Sequence, residues 1–390
     1  MIGPLALNAF VPSMPGVQAV FAADYGTVQL TLTLYLIGVA VGQLAYGPLS
    51  DRFGRRPVLL TGLVLFVAGT LAAAVATGIW WLIAARILQA VGACSGLVIS
   101  RAVVRDIHGR DRTASVLAYI TMAMVIAPML APGLGALLDT WFGWRASFLF
   151  VALFGAAVLA ASVWRLNETN FDRQPMPGLF GMVISYRSLI ASTAFRGYML
   201  QSSFSLAVFF AFLGGAPYVM ISILGRSTWE YGLYFMLVSL GYAAGNFAAG
   251  RLSTRMGADR MILAGTIISA AGCALLTGIV LAGALNPILL FGAQSLIGIG
   301  NGLSLPNSMA AAVSVNPRIA GAAAGLSGFA QMGMGAAATF LIGHLLSTTA
   351  IPLAFIMLGA SLIALFIHVA TERTLARKSG LIAAAPLPAE

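Results

Sequence analysis

With 390 residues, 60% of them apolar and only 8% charged, the chain falls far below the roughly 25% charge of a soluble globular protein. Its apolar stretches are continuous and about 20 residues long, which reads as a polytopic helical membrane protein and excludes the alternating ten-residue segments of an outer-membrane barrel. The net charge of +10 lies in short loops between those stretches, so it marks membrane sidedness and not a nucleic-acid surface.

The first span is expected over about 1–21, where Pro4, Pro12 and Pro15 interrupt the helical hydrogen bonding. Membranes tolerate such breaks beside a cavity or a neighbouring helix. No cleavable signal peptide pattern is seen. The second span, about 27–50, and the third, about 57–78, are joined by Gly47-Pro48-Leu49-Ser50-Asp51-Arg52-Phe53-Gly54-Arg55-Arg56. So short a link must reverse at once. Gly47 is expected to permit close backbone approach, Gly54 to supply φ > 0, and Pro57 to open the next helix. Trp80-Trp81 mark the far interface, and span four then runs to about Val104 with Arg86, Gln89 and Gly92 inside it.

Arg101, Arg105 and Asp106 end span four, ahead of the polar turn through Arg112. Span five, about 113–138, carries Pro128, Pro132, Gly133 and Gly135. Prolines four apart share one helical face, which predicts a bend and a small-residue surface for a neighbour. After Phe142-Gly143-Trp144-Arg145, span six ends near Trp164-Arg165. Residues 166–196 are the one substantial polar interval and read as a cytoplasmic linker between six-helix bundles at 1–165 and 197–372. Spans seven to twelve fall near 198–220, 231–250, 261–283, 288–313, 320–346 and 352–371, and 373–390 forms a cytoplasmic tail.

Two echoes suggest related halves. Gly250-Arg251-Leu252-Ser253-Thr254-Arg255-Met256-Gly257 repeats Gly47 to Gly54 at an offset of 203, with Thr254 at the place of Asp51. Gly298 to Leu303 repeats Gly92 to Leu97 at an offset of 206. Such weak internal symmetry characterises repeat-built transporters. With both termini inside, every lysine and arginine except Arg86, Arg145 and Arg226 faces the cytoplasm, and the opposite orientation inverts that ratio. Cys94 and Cys273 both fall within spans, so neither a disulfide nor a metal site is expected.

The turn at 47–56 resembles the major facilitator superfamily signature G-x-L-a-D-r-x-G-r-k, with Arg56 where lysine is commoner. Arg86-x-x-Gln89-x-x-Gly92-Ala93 is similar to that superfamily's fourth-span motif. Ala127-Pro128-x-x-Ala131-Pro132-Gly133-x-Gly135-Ala136 is similar to its antiporter motif, departing from it at Ala131 and Ala136. Phe142-Gly143-Trp144-Arg145-Ala146-Ser147-Phe148 and Arg101-Ala102-x-x-Arg105-Asp106 narrow the likeness to the Bcr/CflA branch of bicyclomycin- and chloramphenicol-type drug exporters. The resemblance implies an all-α fold of twelve transmembrane helices in two pseudo-symmetric halves. It also implies drug:proton antiport across the bacterial inner membrane through a cavity between the halves, by a monomer without cofactors.

It further implies a conformational latch made by Gly47, Asp51, Arg52, Gly54 and Arg55, with Asp51 meeting the start of span eleven at Asn316-Pro317. Branch members usually carry an aspartate in span one, in a pattern like D-x-x-x-P, where this chain has Asn8 four residues before Pro12. Asparagine does not titrate, so coupling at that position is expected to be lost. Arg86 either snorkels to the nearby interface or lies by the cavity and influences proton or substrate binding. Tyr35, Gln89, Met122, Phe204, Phe209, Asn246 and Asn301 are candidate cavity residues. Each is also explained by helix packing or an interhelical hydrogen bond. No paired carboxylates, His-rich motif or Ser/His/Asp set lies at membrane depth, which argues against an enzyme. The alternative is a facilitator or importer of a small metabolite on the same fold.

Overall fold

The computed structural model describes residues 2–171 and 179–383; the side chains at 105, 108–129, 179–183, 318 and 378–383 lie outside that description. Met122, Pro128, Arg110 and Lys378 fall among these. The described residues are helical, without a strand. The helices are α1 (Ile2–Phe10), α2 (Met14–Phe21), α3 (Tyr25–Phe53), α4 (Arg55–Ala74), α5 (Ile79–Phe142), α6 (Arg145–Arg165), α7 (Leu179–Ala191), α8 (Thr193–Tyr218), α9 (Thr228–Met256), α10 (Ala258–Leu281), α11 (Pro287–Ser314), α12 (Ala320–Leu345) and α13 (Ile351–Ala383).

Ten helices among the described residues are long and apolar enough to cross a membrane. The column α1–α2 and the second arm of α5 complete the twelve positions. The prolines act on the first column as their chemistry dictates: it shifts to a 3-10 turn at Val11–Ser13, with Pro12 inside it, before α2 begins. The expected turn between spans four and five lies within α5, whose backbone is helical over 64 residues. Arg86 nevertheless bonds Ala6, and a Cβ on Gly135 would collide with Ala9, only three residues further along α1. A straight helix would hold Arg86 and Gly135 about 74 Å apart. The chain therefore reverses between the two arms, and both lie against α1. Within the interval read as a linker, α7 forms and buries Leu189 beside Phe195 and Ala323.

Within the first half, α4 and α5 meet through glycines. A Cβ on Gly62 would collide with Ser95, on Gly69 with the Gln89 backbone, and on Gly92 with Phe66. Lipid supplies no hydrophobic drive between helices, so this close backbone approach is what makes the contact favourable. The second half repeats the arrangement with a register that the sequence pattern misses. Gly92 approaches Gly62 and Phe66, while Gly300 approaches Gly265 and Ser269. The partners keep the offset of 203, but Gly92 pairs with Gly300 at 208, not with Gly298 at 206. On paper the offset of 206 is the better match, pairing Gly92 and Gly96 with Gly298 and Gly302, but packing selects 208. Arg86 then corresponds to Gln294, which is fully buried.

Between the halves, α3 lies along α12 and the second arm of α5 meets α9. Gly26 and Gly343 touch closely, as do Gln43 and Gly328, and Gly232 packs on Ala136 and Gly133.

Candidate functional site

Near one end the interface is closed. The Tyr25 hydroxyl donates to the Gly214 carbonyl at 2.6 Å, and the Gln29 amide donates to the same oxygen. The Tyr25 and Tyr218 rings meet at a tilt of 44° with centroids 4.5 Å apart, and the Thr33 and Thr339 hydroxyls bond at 2.8 Å. Interhelical polar contacts of this kind contribute about 0.6 kcal/mol each in a membrane, and several act together here.

Below this seal lies a cavity of about 260 Å³ between α1, α3 and α5 on one side and α8 and α12 on the other. Asn8, Tyr35 and Phe209 line it, with Cys94, Phe210 and Met332 among their neighbours. Asn8 donates its Nδ2 to the Pro4 carbonyl at 2.8 Å, the peptide oxygen four residues back. Its Oδ1 is buried without a partner. Tyr35 donates to the Gly3 carbonyl at 3.2 Å. Aromatic and methionine side chains make the rest of the wall apolar and adaptable.

Arg86 sits behind the Tyr35 ring. Its side chain has 0% exposure, so it does not snorkel to the interface. The guanidinium carbon is 4.3 Å from the Tyr35 ring centroid, 5.1 Å from that of Phe10 and 5.9 Å from that of Phe148. Nη1 donates to the Ala6 carbonyl at 3.1 Å and to Gln89 Oε1 at 2.5 Å, and Gln89 in turn donates to Thr70 at 2.8 Å. Gln89 thus orients Arg86 and does not line the cavity. Nε and Nη2 are buried without partners. No described carboxylate pairs with this cation.

The turn at 47–56 forms a polar network. Gly54 has φ 99°, ψ 153°, a conformation only glycine takes readily, and it ends α3 and begins α4. Gly47 plays no close-approach role, since a Cβ there would meet nothing within 4 Å; it sits inside α3 facing a cleft. Arg55 pairs with Asp51 at 2.5 Å and with Asp106 at 3.0 Å, its side chain 6% exposed and that of Asp51 43%. Arg52 lies over the Phe53 ring at 5.1 Å.

Residues beyond α6 strap this turn, a feature the sequence reading treats only as linker. Glu168 accepts backbone N–H bonds from Arg55 at 2.8 Å and Arg56 at 3.2 Å, capping the start of α4. Asn170 Nδ2 donates to the Asp51 carbonyl at 2.9 Å and to that of Ser50 at 3.3 Å, satisfying the end of α3. Burial alone would push the Glu168 carboxyl up. Donations from Asn170, Arg55, Arg56 and Thr169 outweigh it and hold the group below the ordinary glutamate range.

A cleft of about 510 Å³ adjoins the turn. Gly47, Asp51 and Arg55 form one wall, and the first turns of α12, including Ala320, Gly321 and Gly325, form the other. It shares Leu97 with the central cavity. Asp51 is paired within its own half and faces the start of α12 across this space.

The remaining candidates are dispersed. Phe204 is not among the cavity-lining residues. Asn246 donates to Tyr242 at 2.9 Å within α9, and Asn301 donates to the Ser205 carbonyl at 3.3 Å inside the second half. Pro132, Gly133 and Gly135 serve the contacts with α9 and α1, a Cβ on Gly135 colliding with the Ala9 carbonyl. Met122 and Pro128 lie outside the described side chains.

Two six-helix halves enclosing a cavity and cleft at their seam agree with the comparisons. The Major Facilitator Superfamily model matches residues 1–227 and again 198–386. The chain belongs to the major facilitator superfamily. A chloramphenicol resistance protein of Pseudomonas aeruginosa is 34% identical over 81% of this chain and 73% of its own length. A bicyclomycin resistance protein homolog of Haemophilus influenzae is 28% identical over 92% of this chain and 90% of its own. In fold the chain is similar to the xylose transporter XylE of E. coli in a partially occluded inward-open conformation. The TM-score is 0.73 at 14% identity, covering 94% of each chain. The protein is thus a multi-pass membrane transporter of this superfamily, built as the twelve-helix expectation required, and not an enzyme.

Proposed function

We propose that the protein exports small amphipathic drugs, phenicol- or bicyclomycin-like in character, from the bacterial cytoplasm by alternating access. It acts as a monomer in the inner membrane with both termini cytoplasmic. The observation that carries this reading is the apolar cavity between the halves, sealed at the Tyr25 end and adjoined by the cleft at the Asp51 end. The relatives' names supply the drug class. Closing the cleft brings the partial positive charge at the α12 N-terminus to Asp51, an interaction of about 0.5–2 kcal/mol, which makes the 47–56 turn a latch.

The coupling we propose is drug:proton antiport. Among the described residues the lining of the central cavity holds no carboxylate, so coupling through it is weak, and Asp51 on the adjoining cleft acts as the latch. In proteoliposomes an imposed pH gradient should drive uptake of a neutral drug only weakly, and Asn8→Asp should strengthen that response. Strong gradient-driven transport unchanged by Asn8→Asp would show that the coupling proton is carried elsewhere. Accumulation of a phenicol in intact cells, with and without an uncoupler, tests export itself: expression should lower accumulation and the uncoupler should restore it. Expression that raises accumulation would favour the importer instead.

A further inference from the structure

We propose that the central cavity selects its substrates by charge, taking uncharged or anionic amphipathic molecules that carry a hydroxyl or amide N–H donor and rejecting cations of the same shape. This deepens the export reading and rests on it. Three observations carry the proposal. Among the described residues the lining contains no carboxylate, and Asn8 and Tyr35 are its polar side chains. Arg86 is fully buried 4.3 Å from the Tyr35 ring centroid, and no described carboxylate pairs with it. Two of its donors, Nε and Nη2, have no partner. The positive charge is thus met by rings and neutral acceptors but by no described carboxylate, and the Tyr35 ring stands between it and the cavity.

The polar handle is also defined. Because Asn8 Nδ2 is committed to the Pro4 carbonyl, the unpartnered Oδ1 is the acceptor available to a substrate donor. Tyr35 donates its hydroxyl hydrogen to the Gly3 carbonyl, which leaves its oxygen lone pairs for a substrate. Both groups therefore accept, and a substrate with an apolar body and one O–H or N–H donor matches them. A cation about 8 Å from the guanidinium, at an effective dielectric of about 20, is disfavoured about thirtyfold relative to its neutral isostere.

The test uses the full chain in nanodiscs and two probes with the same naphthyl amide body, one ending in a tert-butyl group and the other in a trimethylammonium group. Equilibrium dialysis should give a dissociation constant for the neutral probe about thirtyfold below that for the cation. Arg86→Gln should shrink the ratio to a few-fold, and Asn8→Asp, which places a carboxylate in the wall, should bring it toward unity or invert it. Equal affinity of the wild-type protein for both probes would overturn charge selection while leaving export standing. An unchanged ratio in both variants would equally overturn the assignment to Arg86. Saturable binding of neither probe would overturn this proposal and the use of the cavity for drugs together.

Discussion

The two symmetry-related turns share a backbone and differ in chemistry. Gly54 and Gly257 both adopt positive φ, 99° and 83°, and each donates its N–H to a serine carbonyl four residues back. Around Gly54 stand Asp51, Arg55, Asp106 and Glu168; at the positions of Asp51 and Arg55 the second turn has Thr254 and Ala258. A Cβ on Gly257 would meet nothing within 4 Å, whereas one on Gly54 would strike the Glu168 carboxylate. The reversal itself therefore needs only the glycine. The charges of the first turn stabilise it further, and their absence from the second turn is why we also assign them to conformational control. The same asymmetry recurs within the halves, where buried Arg86 stands opposite buried Gln294.

The largest effect should come from making the first turn resemble the second. Arg55→Ala leaves Asp51 and Asp106 without their shared partner, and removal of a mostly buried cation from such a pair costs about 3 kcal/mol. Thermal unfolding of the purified protein should show the loss. A melting temperature unchanged by Arg55→Ala would mean that the network is solvated and idle. Next in size is a paired comparison. Gly54→Ala and Gly257→Ala both incur backbone strain of about 1–2 kcal/mol, and Gly54→Ala additionally displaces Glu168. Equal destabilisation by the two substitutions would dismiss the strap.

The smallest effect concerns Glu168 and pH. Its pKa is lower in the folded protein than in the unfolded chain. Its stabilising contribution is therefore fully present above the ordinary glutamate value of about 4.3 and is lost as pH falls through the lower, folded value. Glu168→Gln should reduce stability modestly at neutral pH, and its difference from wild type should shrink in acid. A difference that stays constant down to about pH 3 would assign the effect to shape instead of charge.

Much of this was legible beforehand because membrane helices advertise their length and apolarity, and because the turn's φ > 0 requirement shows itself as Gly54. Other features depend on where distant segments meet. Glu168, Thr169 and Asn170 look like ordinary linker residues until α6 delivers them to the 47–56 turn. The burial of Arg86 depends on Phe10 and Phe148 converging from other helices, while in sequence it lies a turn and a half from Trp81 and looks able to reach water. The repeat register failed by two residues because Gly298 and Gly302 match Gly92 and Gly96 in sequence, while the packing partners across the interface place Gly300 in the role of Gly92. Asn246 and Asn301 look like cavity groups by polarity alone, yet each is spent on a carbonyl of the second half.

The central claim is that the first turn controls the conformational cycle of an exporter without touching its drug. The direct measurement is uptake of a labelled phenicol into everted membrane vesicles by the wild-type protein and by Asp51→Asn, as a function of drug concentration. Wild type should concentrate the drug. Asp51→Asn should keep the same half-saturation while its maximal rate falls about tenfold, the loss of about 1.4 kcal/mol that a helix-terminus contact supplies. An Asp51→Asn protein that exports at the full wild-type rate, or one whose half-saturation shifts instead, would contradict the claim.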